Sequence, residues 1–229
     1  MKVVAVLVVL LVALGVLLDR VAASVAEGQV AAQIAAQAGL AGEPAVDIRN
    51  FPFLTQALGG RYDEVRISLT GAQLGRPEGT HADVVLRGVH LPLAAVLAGD
   101  VREVPVDRIE GVATLSYDLL AQEIGGDTTL EPEGDRLRIT RTVDLPGGAL
   151  PLTAVGTVVL DGQALVIDVE RATGAGVDLP GFLVGRASDL LDLRYPVQLP
   201  FGLRLTGVAA AGDGVEVRVE ADDAVIGAE

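Results

Sequence analysis

From Ala45 onward the dominant hydrophobic period of this chain is two, which confines it to a fold of strands with one apolar and one wet face. Val65/Ile67/Leu69, Leu137/Ile139 with Val143/Leu145, Leu165/Ile167/Val169 and Val215/Val217/Val219 alternate with Arg, Thr, Ser, Asp and Glu. Glu133-Gly134-Asp135, Asp161-Gly162 and Gly212-Asp213-Gly214 fall between such runs and carry hairpin-turn chemistry. Long antiparallel strands follow from this, not βαβ crossovers. Val84-Val85-Leu86 and Val155 to Leu160 are apolar on both faces and are expected to lie deeper. Three short helices are predicted to interrupt the strands. Pro92 to Leu97 is bracketed by Pro and Gly99, Tyr117 to Ile124 is capped by Ser116 and stopped by Gly125, and Gly181 to Leu191 follows Pro180.

Ahead of the strands, Met1-Lys2 leads into sixteen apolar residues, Val3 to Leu18, then Asp19-Arg20 and the small-residue patch Val21-Ala22-Ala23-Ser24. A positive start, an apolar run and Val-Ala-Ala is the pattern of a signal peptide cut after Ala23. The same run, lengthened through Val21 to Ala23 past a snorkelling Arg20, is the pattern of an uncleaved anchor, for which a span needs roughly twenty residues. A buried core helix is opposed by the lack of any polar face. Anchoring is preferred, because Asp19 to Ala38 reads as one helix and a cut after Ala23 removes its first turn. Val21, Val25, Val30, Ile34 and Ala38 form its narrow apolar face, and Gly39 ends it. An Ala-rich helix lets a sheet approach closely. The expected fold class is therefore α+β: an elongated, curved, mainly antiparallel sheet rolled around or against an N-terminal helix, with short helices between strands. Residues 1–18 are assigned as signal peptide or signal anchor and 19–229 as a single domain, since no linker, charge block or low-complexity tract divides them.

Half the residues are hydrophobic but only 3% are aromatic, so the interior is built from Val, Leu, Ala and a few Ile. Such a lining suits acyl chains, although sixteen Arg against the single Lys2 also mark a GC-rich coding bias that inflates Ala, Val and Gly. A formal charge of −14 opposes nucleic-acid binding and broad adsorption to an anionic membrane, leaving anionic lipid to local Arg groups. Arg136 and Arg138 share one strand face, Arg141 the other, so two can meet a phosphate together; a solvated strand face is the plainer alternative. With no Cys there is no thiol chemistry and no thiolate metal site.

Asn50-Phe51-Pro52-Phe53-Leu54-Thr55-Gln56-Ala57-Leu58-Gly59-Gly60-Arg61-Tyr62 holds two of the four Phe and one of the three Tyr. Clustered aromatics in a Pro/Gly-punctuated connection suggest a loop with a surface or ligand to cover, or an apolar flap closing the core. Pro52 favours an extended local chain, so the Phe51 and Phe53 rings are expected on opposite sides, one anchoring the loop and one facing a groove. Leu54 and Leu58 extend the apolar surface, while Thr55, Gln56 and Tyr62 offer polar groups to a head group.

This segment, with the alternating Val65/Ile67/Leu69 after it, resembles the LmeA family of phospholipid-binding envelope proteins of high-GC Gram-positive bacteria. Leu86-Arg87-Gly88-Val89-His90-Leu91-Pro92-Leu93, Ile109-Glu110-Gly111 to Tyr117-Asp118-Leu119, and Leu199-Pro200-Phe201-Gly202-Leu203 look like later segments of that family. The resemblance runs from roughly Asp19 to the end and departs at Asn50, where a Gly is expected; Asn tolerates left-handed backbone better than most residues. It implies a tubular lipid-binding fold, a phospholipid ligand of phosphoinositide type, a role in lipoglycan assembly and an envelope location. The lipid-contact candidates are Phe51, Pro52, Phe53, Leu54, Leu58, Tyr62, Phe182 and Phe201; the head-group candidates are Thr55, Gln56, Arg136 and Arg138.

Catalytic chemistry is thin in the sequence. His81 and His90 are nine residues apart on a predicted strand, on opposite faces. Ser24, Ser68, Ser116 and Ser188 lie outside any nucleophile elbow, and neither a dinucleotide nor a phosphate loop is complete. Asp118 with Glu123, and Asp189 with Asp192, read more simply as solvated helix faces. No catalytic residue, metal site or cofactor is expected. A lipid binder is the first hypothesis, with an enzyme on envelope lipids or glycans and a ligand-free envelope adaptor as alternatives.

Overall fold

The computed structural model describes residues 2–98, 101, 103–125, 127–145, 148–174, 177–178, 194–196 and 199–227. In chain order the elements are α1 (Lys2–Ala38), β1 (Ala45–Arg49), α2 (Phe53–Gly59), β2 (Arg61–Thr70), α3 (Gly71–Leu74), β3 (His81–His90), α4 (Leu93–Ala98) and β4 (Glu103–Ser116). They continue with α5 (Tyr117–Ile124), β5 (Thr128–Glu133), β6 (Arg136–Leu145), β7 (Gly148–Asp161), β8 (Ala164–Gly174), β9 (Val177–Asp178), β10 (Arg194–Pro196), β11 (Arg204–Ala210) and β12 (Gly214–Gly227). The fold is α+β, as the alternation and the N-terminal helix predict. The strands form two antiparallel sheets, one ordered β1-β2-β3-β4-β12-β11, the other β10-β8-β7-β6-β5 with β9 paired to β8.

All three expected hairpins form. Gly134 (φ 69°) and Gly162 (φ 64°) take left-handed turns between β5 and β6 and between β7 and β8, and residues 211–213 join β11 to β12. The alternation holds in the burial pattern: Leu137 and Ile139 are buried while Arg138 between them is exposed, and Val215 and Val217 are buried on β12. Two expected short helices form as α4 and α5. In α5 the Ser116 Oγ accepts the Leu119 N–H and Gly125 follows at φ 75°. The helix expected at Gly181 to Leu191 lies outside the described residues.

By contact density the chain divides into two compact units: residues 1–69, 83–110 and 221–229, and residues 70–82 and 111–220. In the second, Tyr117, Leu130, Leu137, Ile139, Val158, Leu205, Val215 and Val217 form one buried cluster. Leu115, Leu160, Leu165, Ile167 and Val219 pack against it only half-buried. This interior is aliphatic apart from Tyr117, whose hydroxyl donates to the Ala211 carbonyl and whose burial pushes its pKa up. The double-sided apolar run of β7 lies deep at Ala154, Val155 and Val158, whereas Val159 is exposed. Gly156 marks a register shift against β8, and a Cβ there would lie 2.2 Å from the Asp168 carbonyl oxygen.

In the first unit, α1 packs on β1 and α2. It is one continuous helix through Asp19-Arg20, and its packing stripe overlaps the predicted Val21/Val25/Val30/Ile34/Ala38 face only at half-buried Val30 and Ile34. Asp19, Ala23 and Ala31 are buried and Glu27 is half-buried, four residues apart, while Val21 and Val25 are exposed. Small Ala side chains let β1 pack close, and Val21 and Val25 face away.

Candidate functional site

The segment from Asn50 to Tyr62 is built around α2, a helix where sequence suggested an extended connection. β1 leads into it alongside α1, held where the Ile48 N–H donates to Glu27 Oε1 at 2.9 Å. Asn50 then turns the chain at φ 74°, the left-handed conformation that the expected Gly would adopt. The Phe51–Pro52 peptide bond is cis, and Pro52 stands as the extended residue before the helix. Asp19 Oδ2 accepts the Phe53 N–H at 3.0 Å and Oδ1 accepts the Leu54 N–H at 2.8 Å, so a carboxylate from α1 caps a helix 34 residues away. Gly60, at φ 66°, closes the other end.

Gln56 ties the two ends of the segment together. Its Nε2 donates to the Arg49 and Asn50 carbonyls at 3.2 and 3.0 Å, and its Oε1 accepts the Asp63 N–H at 3.0 Å. Thr55 Oγ1 donates to the Pro52 carbonyl at 2.8 Å. Thr55 and Gln56, two of the four head-group candidates, are therefore engaged in local backbone bonds. Tyr62 is buried with its ring 6.1 Å from that of Phe53, and burial pushes its hydroxyl pKa up, so it stays neutral. Phe53 and Ala57 are buried beside it.

The stripe of α2 beside that buried face, with Phe51 just ahead of the helix, is apolar and exposed. Phe51 is 51% exposed, Leu54 42% and Leu58 78%, and Val96 of the adjoining α4 is 43% exposed. Phe53 anchors the segment, while Phe51, expected to face a groove, stands exposed at the surface. The Arg20 guanidinium carbon lies 5.3 Å from the Phe51 ring centroid, a cation–π contact. Next to α2, Asp107 Oδ2 pairs with Arg61 Nη2 at 2.7 Å and Oδ1 with His90 Nε2 at 2.8 Å. His90 and Asp107 border a shallow recess of about 430 Å³ with Val106 and Val225.

The other described candidates lie in the second unit. Arg136 and Arg138 share a face as predicted, and each is ion-paired: Arg136 with Glu170 at 2.9 Å, Arg138 with Glu133 through two nitrogens at 3.0 and 2.8 Å. Phe201 is 44% exposed in a left-handed turn (φ 57°) before Gly202. Phe182 lies outside the described residues. Among the described residues no three His, Asp or Glu side chains converge on a point that would hold a metal.

Sequence reasoning missed Asp19 and Arg20 as partners of the segment. The available signal was the spacing of Asp19 with Ala23, Glu27 and Ala31, which marks an acidic residue on a packing stripe. Asp19→Ala strands two helix N–H groups, one of them buried, and is expected to lower stability by about 2–3 kcal/mol. Asp19→Asn keeps one acceptor and should recover about half of that. Denaturant unfolding of the full chain in detergent micelles checks both. A loss under roughly 0.5 kcal/mol, the scale of an ordinary surface change, would contradict the cap.

The family model of LmeA-like phospholipid-binding proteins matches residues 17–220. No curated protein and no solved structure matches the chain.

Proposed function

The chain belongs to the LmeA-like phospholipid-binding family, and on that premise we propose that it is an exported envelope protein, held at the membrane by residues 1–18, that carries or presents phospholipid. The single observation supporting a site on this chain is the exposed apolar face of α2, with Phe51, Leu54 and Leu58 outward over a buried Phe53/Tyr62 base. Acyl chains gain by covering that face, because each side chain removed from water contributes about 1.5–3 kcal/mol. Pro52 fixes the approach to the helix, and Phe53 and Tyr62 position the face without touching lipid. Phe182 and Phe201 remain proposed lipid contacts on their side chains alone.

Arg20 lies on the Phe51 ring, and Arg61, which follows α2 in sequence, pairs with Asp107. Arg136 and Arg138 meet a phosphate only by exchanging Glu170 and Glu133 for it. A phosphoinositide-type head group and a role in lipoglycan assembly complete the reading, and it assigns the chain no catalytic step.

Transfer of fluorescent phosphatidylinositol from donor vesicles to the full chain tests it. Phe51→Ser combined with Leu58→Ser is expected to weaken binding by roughly a hundredfold or more, each change forfeiting about 1.5–3 kcal/mol of apolar cover. Arg136→Glu with Arg138→Glu is expected to leave binding and its salt dependence unchanged. Wild-type affinity in a folded Phe51/Leu58 variant would remove α2 from the site.

A further inference from the structure

We infer that the exposed face of α2, with Val96 of α4, docks on the surface of the bilayer that holds the first turns of α1. This rests on the proposed membrane anchor and adds where the folded unit meets the membrane.

Helix α1 serves as a ruler. Every described residue from Lys2 to Leu18 is exposed and, apart from Lys2, apolar, and burial begins at Asp19. Ile48 is bonded to α1 at Glu27, whereas Phe53 and Leu54 are bonded at Asp19, roughly 12 Å nearer the apolar segment at 1.5 Å per residue. β1 therefore runs back toward the membrane end of α1, and α2 sits at the level where the apolar run stops. Phe51 lies at the level of Arg20, about one residue further along.

The two charges that end the apolar run are both engaged by this segment. Asp19 is 3% exposed and spends both oxygens on α2 amides, and Arg20 lies against the Phe51 ring. Neither presents a bare charge toward the lipid boundary. A short helix with Leu54 and Leu58 outward, an exposed Phe beside it and an Arg able to snorkel is an interfacial element, whose apolar side settles about 5–10 Å into the head-group region. A chain of net charge −14 does not adsorb to an anionic leaflet unaided. Tethering by α1 supplies the local concentration instead.

The chain has no Cys, so Leu58→Cys and Ala41→Cys each offer one thiol for an environment-sensitive fluorophore. Leu58 is exposed on α2, and Ala41 follows the far end of α1. The labelled full-length proteins are reconstituted into phosphatidylcholine vesicles, with or without a lipid carrying a nitroxide quencher near the head group, and floated on a density gradient. Docking predicts that both proteins float, that the probe at residue 58 shifts to the blue and loses most of its emission to the quencher, and that the probe at 41 does neither. Flotation with residue 58 as unquenched as residue 41 would overturn docking and leave the anchor standing. Failure to float would overturn the anchor and docking with it. A blue shift at 58 that needs no vesicles and grows with protein concentration would assign the face to a second copy of the chain, against the inference.

Discussion

Phe53→Ala is expected to destabilise the protein by about 3–5 kcal/mol, whereas Phe51→Ala, two residues earlier, should cost under about 1 kcal/mol. Phe53 is buried against Tyr62 and its backbone N–H is held by Asp19, so truncation opens a cavity beneath α2 and loosens a ring pair. Phe51 is half exposed, and its ring contact is with an Arg at the surface. Lipid binding should show the reverse order, falling for Phe51→Ala and persisting in the folded fraction of Phe53→Ala. Denaturant unfolding of the full chain in detergent micelles, followed by circular dichroism, measures the first contrast. Equal destabilisation by both substitutions, with unchanged lipid affinity, would make the segment a core plug and nothing more.

The second large effect lies in the other unit. Ile139→Ala is expected to cost about 2–5 kcal/mol, because Ile139 is 1% exposed and sits in the cluster with Leu130, Leu137 and Val158. Arg138→Ala next to it should change stability by about 1 kcal/mol or less, since its pair with Glu133 is partly exposed to solvent. Paired unfolding curves for the two variants test the alternation of β6 directly. Comparable losses from both would mean that the strand does not present one face to the core and one to water.

The strands were legible in the sequence because their cause is local. Period-two hydrophobicity marks β2, β6, β8 and β12, glycines mark the β5–β6, β7–β8 and β11–β12 turns, and Ser116 and Gly125 bracket α5 by the same short-range logic. Asn50 is a further local success: an Asn where Gly was expected takes the left-handed turn. The helix α2 was not legible, since its N-terminal amides are satisfied from a carboxylate 34 residues away and its Gln56 is spent on backbone groups across the segment. Read alone, Asp19 looked like the end of an apolar run, and Thr55, Gln56 and Tyr62 looked available to a head group. Tertiary contacts add what the segment alone does not show: the Tyr62 ring is buried and Gln56 clamps backbone groups. The division of the strands into two sheets was equally invisible, since alternation marks faces and not partners.

Organic extraction and mass spectrometry of the purified full chain tests most directly whether the protein holds phospholipid at α2. A Leu54→Ser/Leu58→Ser variant is the proper reference, because it keeps residues 1–18 and hence any lipid that merely clings to an apolar helix. The wild type is predicted to retain phospholipid in clear excess over the variant after detergent exchange, with a phosphatidylinositol-type species in the difference. Identical lipid content in two folded proteins, with neither taking up added phosphatidylinositol, would contradict it.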